Sequence, residues 1–215
     1  MNNKLSYKFS YRRRLPHIQP EGAIFFVTSR LANSLPMEVV ENLHRERDPI
    51  DTELAKIADK QERAEKAYLA SRRLFGIWDK ALDASDTGIK YLANIQVAKL
   101  VVESLHYRDG KVYELIAYCI MPNHMHIVIT PLEESKDKYF SLSRIMHSLK
   151  RHTAHEANLL LGRTGAFWQH ENYDHFARDN AELERIVKYV LYNPVKANLV
   201  KEQSDWKWSY CKYDM

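Results

Sequence analysis

The stretch KVYELIAYCIMPNHMHIVIT, which directly follows Asp109 and Gly110, constrains the fold more than any other part of the sequence. It holds two runs of β-branched and aromatic residues at strand length, and the Asp-Gly pair before them is typical of a turn. Proline cannot donate a hydrogen bond in the middle of a sheet, so the two predicted strands are divided at Pro122 and Asn123. Another strand is predicted in GAIFFVTSRL, which begins at Gly22.

In most of the remaining chain, the apolar residues are spaced as in helices. The segment from Met37 to about Arg73 is rich in Glu, Lys, Arg, Ala and Leu, and we interpret 37–87 as a helical insertion. Such a charged segment is either a solvated surface without chemistry or a protruding arm. Further helices are predicted after Gly88, from about Ser141 to Leu161 before Gly162, and from about Ala181 to Asn193 before Pro194. Because strands and helices do not alternate strictly, the order predicts an α+β fold, an antiparallel sheet with helices packed on one face.

Length and composition limit the organisation to one domain. The 215 residues suffice for a single core with one insertion, so we predict a basic N-terminal arm at 1–20 and one domain at 21–215. Apolar residues make up 45% and charged residues 28%, which excludes a largely disordered chain. No run approaches the roughly 20 apolar residues of a membrane span and no secretory leader is visible, so we expect a cytoplasmic protein without a membrane partner.

Basic residues indicate a nucleic-acid partner by their distribution rather than by their number, since the formal net charge is only +4. Arg12, Arg13 and Arg14 stand near aromatic residues in the N-terminal arm, a mixture that binds phosphates and stacks on bases. Lys150 and Arg151 lie on the polar face of a predicted helix. Both groups are also compatible with a solvated surface, so both interpretations stay open.

The first motif with chemical potential is the His-x-His of the second predicted strand. Side chains alternate along a strand, so His124 and His126 point to one side of the sheet and Met125 to the other. Two imidazoles at this spacing can share one divalent ion and leave coordination positions for a third side chain and for substrate oxygens. The alternative is a pair of ordinary hydrogen-bonded histidines.

The second motif lies in the last predicted helix, ELERIVKYVLYNPVKANLV. Its apolar residues form one stripe, with Tyr189 at the edge of that stripe and Tyr192 further from it. Asn193 comes one turn after Tyr189 on the same side, so the phenol and the amide can reach a common point. The alternative for Tyr189 is a tyrosine that packs its ring and exposes its hydroxyl to water.

Taken together, the blocks MPNHMHIVI, FWQHENYDHFARD and YVLYNPVKANLV resemble the HUH-type single-tyrosine transposases of the IS200-like superfamily, most closely their REP-associated tyrosine transposase branch. The similarity runs from about Gly22 to Val200 and is interrupted by the helical insertion. The resemblance implies the ferredoxin-like HUH endonuclease fold. It also implies a site in which His124 and His126 bind Mg²⁺ or Mn²⁺, Asn193 completes the metal site, and Tyr189 is the nucleophile.

The same resemblance implies a DNA strand-transfer enzyme that cleaves and rejoins single-stranded DNA, at sites containing hairpins, through a 5′-phosphotyrosine intermediate. The expected partners are single-stranded or hairpin DNA and a second copy of the chain, and the protein would associate with the nucleoid when bound to DNA. Two alternatives stay open, a hairpin-binding regulator without turnover and a metal-dependent nuclease that uses water. The insertion exceeds the minimal domain of such enzymes, and it could bind DNA, a partner subunit or nothing.

Overall fold

A computed structural model describes residues 19–84 and 88–213 of the chain. The predicted arm residues Arg12, Arg13 and Arg14 lie outside the described residues. In chain order the strands and α-helices are β1 (Phe25–Arg30), α1 (Met37–Lys56), α2 (Lys60–Asp83), α3 (Ile95–Arg108), β2 (Tyr113–Ile120), β3 (His124–Pro131), β4 (Glu133–Ser135), β5 (Lys138–Tyr139), α4 (Leu142–Leu160), β6 (Tyr173–Phe176), α5 (Asn180–Lys196) and β7 (Ser209–Cys211). Short 3-10 helices stand at Tyr91–Ala93 and Gln203–Asp205.

The main sheet has the strand order β6-β1-β3-β2-β7, and every neighbouring pair in it is antiparallel. Strand β3 is central, and the residue paired with His126 is Thr28 on one side and Cys119 on the other. Strands β4 and β5 form a separate two-stranded sheet. The predicted His-x-His motif therefore stands at the beginning of the central strand, between two flanking strands.

Both faces of the sheet are covered by helices. Helices α3 and α4 pack on one face, where their apolar residues join Val27, Ile127 and other side chains in a single core. Helix α5 and the end of α2 pack on the other face, around Phe26 and Val128. The predicted α+β fold with an antiparallel sheet and a helical insertion is confirmed. The one-face arrangement holds for α3 and α4 only, because β2 and β3 are buried along almost their whole length and so need cover on both sides.

The insertion is a pair of helices that extends to the edge of the core. Helices α1 and α2 pack on each other. Asp59 caps the start of α2 by accepting a hydrogen bond from the backbone N–H of Glu62 at 2.7 Å. Near its end, α2 places Phe75 and Trp78 against the core cluster that α5 also covers. The second helix of the insertion is therefore part of the folded core rather than a projecting arm.

The prediction that α5 ends at Asn193 was wrong, because the helix continues through Pro194 to Lys196. Proline removes one hydrogen-bond donor, so the helix continues past Pro194 with one backbone hydrogen bond fewer. The turn is closed by a hydrogen bond from the backbone N–H of Ala197 to the carbonyl of Asn193 at 2.9 Å. The additional residues carry Lys196 to the same side of the helix as Tyr189. Among the helices of residues 19–84 and 88–213, none is both long enough and apolar enough to span a membrane.

Candidate active site

The two histidines of β3 point their Nε2 atoms at each other. His124 and His126 are both fully buried, and their Nε2 atoms are 3.0 Å apart. His124 Nδ1 donates a hydrogen bond to Asn123 Oδ1 at 2.6 Å, because an amide oxygen can only accept. His126 Nδ1 lies 2.8 Å from the Thr28 hydroxyl. The contact at Nδ1 fixes the orientation of each ring. Both Nε2 atoms therefore point to the same place beside the sheet.

Burial keeps both imidazoles neutral at neutral pH. Removal from water lowers the pKa of His124 well below its ordinary value, and the neighbouring His126 and Lys196 lower it further. Burial also lowers the pKa of His126 to about 4, although the charge of Asp79 acts in the opposite direction. A neutral imidazole is the form that binds a metal ion, so the pair is ready to bind one without releasing a proton.

Asp79, on α2 of the insertion, provides a carboxylate to the same point. Its side chain is 2% exposed, and its Oδ1 atom lies 3.6 Å from His126 Nε2. Ligand atoms of Asp79, His124 and His126 all lie within 4.8 Å of one another. Asp79 was not among the residues predicted from the sequence, because its segment is charged and helical. A local signal existed, since Asp79 stands four residues after Phe75 and three before Leu82, within an otherwise apolar stripe.

A lysine fixes this carboxylate and joins the insertion to the last helix. Lys196 Nζ lies 2.6 Å from Asp79 Oδ2 and 2.8 Å from Asp83 Oδ2. Burial opposes the charge of Lys196, but hydrogen bonds to the two carboxylates raise the pKa of its ammonium above the ordinary value. Burial raises the pKa of Asp83 to about 6. Lys196 therefore leaves Oδ1 of Asp79 as the oxygen directed toward the imidazoles.

The structure brings Tyr189 and Asn193 to this group. The Tyr189 ring is half-buried, and its centre lies 5.5 Å from the centre of the His126 ring. Asn193 is fully buried and donates from Nδ2 to the Tyr189 hydroxyl at 3.3 Å. Tyr192, which comes after it on α5, is 56% exposed. The predicted nucleophile and the predicted ligands thus meet in one place, although they come from α5 and β3.

The Tyr189 hydroxyl is held in its protonated form. Burial raises its pKa well above the ordinary value of 10, and the charges of Asp79 and Asp83 raise it further. The hydrogen bond from Asn193 acts in the opposite direction but is the smallest of these causes. A protonated phenol is a poor nucleophile, so the site needs a positive charge nearby to make this oxygen reactive.

The residues present fit a divalent metal ion. Asp79 Oδ1 and Asn193 Oδ1 are buried and have no hydrogen-bond partner within the described part of the chain. Buried acceptors are almost always satisfied, so two of them beside two neutral imidazoles indicate a missing positive partner. Imidazole nitrogens with carboxylate and amide oxygens form a donor set that suits ions such as Mn²⁺, and the oxygens suit Mg²⁺.

The predicted DNA contacts on α4 lie on the opposite face of the sheet from the imidazole pair. Lys150 Nζ donates to the carbonyl oxygens of Gln169 and His170 and to Asn172 Oδ1 at 2.8 Å, so it holds the loop before β6. Arg151 is exposed on the same helix. Both border a groove of about 300 Å³ between α4 and that loop. A role for either in binding DNA stays a prediction.

Comparison with known proteins places these observations in a family context. Residues 94–193 match the family described as "Transposase IS200 like". A putative REP-associated tyrosine transposase of Haemophilus influenzae is 30% identical over 103 residues, which cover 45% of this chain and 58% of the relative. The REP-associated tyrosine transposase of Escherichia coli is 32% identical over 97 residues, covering 45% of this chain and 53% of the relative. The chain thus spans little more than half the length of these curated relatives.

A solved structure shares the fold. It is the structure of a REP-associated tyrosine transposase bound to a REP hairpin, with a TM-score of 0.52 and 18% sequence identity, over 93% of this chain and 81% of that chain. The family match includes His124, His126, Tyr189 and Asn193, whereas Asp79 precedes it. These findings confirm the resemblance predicted from the sequence: residues 94–193 are similar to IS200-like transposases, and about 45% of the chain is similar in sequence to REP-associated tyrosine transposases.

Proposed function

We propose that the protein is a transposase that cleaves and rejoins single-stranded DNA through a 5′-phosphotyrosine intermediate on Tyr189. The observation that supports this most is the meeting of the imidazole pair, the Asp79 carboxylate and the Tyr189 hydroxyl at one point. A buried, neutral imidazole pair can bind a divalent metal ion, and a tyrosine beside that ion can act as the nucleophile. The names of the curated relatives agree with this function.

In this proposal His124, His126 and Asp79 hold a divalent ion, Mg²⁺ or Mn²⁺, and Asn193 Oδ1 is the fourth protein group available to it. When bound, the ion offsets negative charge on the oxygens of the scissile phosphate and on the phenol oxygen. Lys196 orients Asp79 through its 2.6 Å ion pair. Asn193 orients the hydroxyl of Tyr189 by donating to it at 3.3 Å.

The reaction is a transesterification whose atoms balance. The phenol oxygen of Tyr189 forms a bond to phosphorus, and the bond between phosphorus and the 3′-oxygen of the leaving strand breaks. The phenol loses one proton and the leaving 3′-oxygen gains one. Water takes up the proton of the phenol and supplies the proton of the 3′-hydroxyl, because both oxygens of Asp79 are engaged by Lys196 and by the proposed ion. The phosphotyrosine conserves the energy of the broken bond, so a second 3′-hydroxyl can reverse the step.

The substrate we propose is single-stranded DNA beside a hairpin. The related transposase of known structure is bound to a REP hairpin, and the two chains share a fold. On this proposal the groove beside Lys150 and Arg151 and the arm residues Arg12, Arg13 and Arg14 contact the phosphate backbone. Action as a homodimer, at the nucleoid, belongs to the same proposal.

A covalent adduct assay tests the function. Labelled single-stranded DNA with a hairpin is incubated with the protein and Mg²⁺ or Mn²⁺ and is then separated on a denaturing gel. We expect a slow-migrating adduct with the unaltered protein and with the matched control Tyr192→Phe, and none with Tyr189→Phe. Cleavage without an adduct would instead indicate a nuclease that uses water. Binding without cleavage would indicate a regulator.

A further inference from the structure

A cleft lies beside Tyr189, between α2, β6 and α5. Its volume is about 240 Å³, and its lining includes Arg72, Phe75, Tyr173, Glu182, Arg185 and Tyr189. Tyr189 thus belongs both to the imidazole site and to this cleft. Two of the lining residues, Arg72 and Phe75, come from the insertion, whose role the sequence left open.

One wall of the cleft is aromatic. The rings of Phe75 and Tyr173 are stacked with their centres 4.0 Å apart. The ring of Phe26 forms T-shaped contacts with both of them. Phe75 and Tyr189 are only half-buried, and their ring centres are 6.2 Å apart. The packed pair of Phe26 and Tyr173 holds the Phe75 ring in place while part of it stays accessible. A fixed, accessible aromatic ring is a surface on which a nucleobase can stack.

The rim of the cleft is cationic. Arg72 has a side chain that is 53% exposed, and its Nη1 atom is 3.8 Å from Glu182 Oε1, too far for a hydrogen bond. Arg185 is exposed and forms no hydrogen bond or ion pair with any other residue of 19–84 or 88–213. Both guanidinium groups therefore retain donors for an anion, and guanidinium donors match the oxygens of a phosphate.

The one acidic residue named in the lining, Glu182, is already compensated. Its Oε1 atom accepts from the Tyr68 hydroxyl at 2.9 Å and lies 3.0 Å from His175 Nε2. Its Oε2 atom accepts from the backbone N–H of Arg178 at 3.0 Å. The side chain is only 7% exposed. Glu182 thus offers little surface to a ligand, and the two arginines determine the charge that a ligand meets.

We propose that this cleft binds one nucleotide of the DNA strand, next to the scissile phosphate, with Arg72 and Arg185 on a phosphate and Phe75 against the base. The inference rests on the proposed function and specifies where its substrate lies. The volume is below the roughly 300–1,000 Å³ of a site for a whole small molecule, which suits one nucleotide of a longer strand. The insertion then has two roles, since α2 supplies Asp79 to the imidazole pair and two groups to the DNA.

Equilibrium binding of uncut DNA by the Tyr189→Phe protein tests this inference. The probe is a fluorescent oligonucleotide with a hairpin and a single-stranded flank, in a series with one abasic site moved along the flank. We expect one abasic position to weaken binding about fivefold or more, because a stacked base is lost there. A second protein also carries Phe75→Leu, which keeps the apolar packing. In this protein, an abasic site at the same position of the DNA should not weaken binding further.

The cationic rim has its own matched control. Arg72→Gln with Arg185→Gln should weaken binding about tenfold and make it less dependent on salt. Arg73→Gln with Lys188→Gln removes the same charge from the same two helices outside the cleft, and it should weaken binding less than about threefold. The proposal is overturned if the two pairs behave alike, if the abasic series is flat, or if the flank does not bind at all. The adduct assay is read separately, so an adduct with a flat series would leave the proposed function standing without this cleft.

Discussion

Within residues 19–84 and 88–213, buried histidines lie at two places, and their ring nitrogens have different surroundings. On β6, His175 Nε2 lies 3.0 Å from Glu182 Oε1 and 3.2 Å from the Tyr68 hydroxyl. On β3, the Nε2 atoms of His124 and His126 face only each other across 3.0 Å, with a carboxylate oxygen at 3.6 Å from the latter. The first is a hydrogen-bond network with a carboxylate and a phenol, and in the second the two imidazoles meet each other beside a carboxylate oxygen.

Burial alone therefore does not mark a functional histidine in this fold. The pKa of His175 is lowered by burial, as are those of His124 and His126, so the direction of the shift does not separate the groups. They differ in what the Nε2 atom faces, which is Glu182 and Tyr68 for His175 and a second imidazole for the pair on β3. We expect substitutions in the β3 pair to affect chemistry and substitutions at His175 to affect stability.

The largest effect is expected from His126→Ala. This change removes one imidazole from the proposed metal site, and the rate of metal-dependent adduct formation should fall by more than about 100-fold. The Thr28 hydroxyl, which lies 2.8 Å from His126 Nδ1, also loses a buried partner, so the free energy of unfolding should fall by about 1–3 kcal/mol while the chain still folds. Rates of adduct formation together with a thermal melt in EDTA check this. Unaltered activity would show that the pair on β3 is structural.

The opposite pattern is expected from His175→Ala. Loss of this ring leaves Glu182 and Tyr68 short of a partner in a buried place, which should lower the free energy of unfolding by about 2–4 kcal/mol. Denaturant unfolding measures it. If the pair on β3 binds Mn²⁺ as proposed, addition of Mn²⁺ should raise the Tm of this variant as it does that of the unaltered protein. His170→Ala, which removes an exposed histidine, is the control and should change stability by less than about 0.5 kcal/mol. If Mn²⁺ no longer raised the Tm of His175→Ala, the proposed difference between a structural His175 and a metal-binding pair on β3 would be wrong.

The sequence predicted one half of this site and not the other, for a physical reason. His124 and His126 are two residues apart on a strand, and Tyr189 and Asn193 are one turn apart on a helix, so local geometry places each pair. Asp79 reaches the site only through the packing of α2 on the sheet. The apolar stripe around Asp79 indicates a buried face of α2, but it does not indicate which part of the sheet that face meets, and the other residues of the segment are typical of a solvated helix.

The same reason explains two other differences. Lys196 was not predicted because Pro194 was expected to end α5 before it. The helices on the second face of the sheet were not predicted. The apolar residues of a buried strand indicate that something packs on them, but they do not indicate which helix it is. The fold class was predicted from the order of strands and helices. That order could be predicted because the spacing of apolar residues differs between a strand and a helix.

A smaller effect on the β3 group is expected from Asp79→Asn. The change keeps the shape of the side chain but removes the charge, so the affinity for Mn²⁺ should fall about 10- to 100-fold. Titration of Mn²⁺ against Tm gives the affinity. Glu65→Gln, an exposed acid on the same helix, should leave it unchanged. Equal affinities for the two variants would remove the insertion from the metal site.

The smallest expected effect is a pH dependence of stability from His175. Burial lowers its pKa below the ordinary 6.5, with Glu182 acting in the opposite direction, so the unfolded chain binds more protons than the folded one near pH 6. Its contribution is therefore complete above about pH 6.5 and is lost as the pH falls. His175→Gln should show a flatter decline of unfolding free energy between about pH 7.5 and 5.5 than the unaltered protein. Parallel curves would contradict this.

Tyr189 and the imidazole pair are proposed to act on the same phosphate. Peptide mapping of the covalent adduct by mass spectrometry, after reaction with Mn²⁺ and hairpin-bearing single-stranded DNA, measures this directly. We predict a nucleotide linked to Tyr189, and no linked peptide from a protein with His124→Ala and His126→Ala. A link to Tyr192 or to another residue, or a link to Tyr189 that survives loss of both imidazoles, would contradict the account.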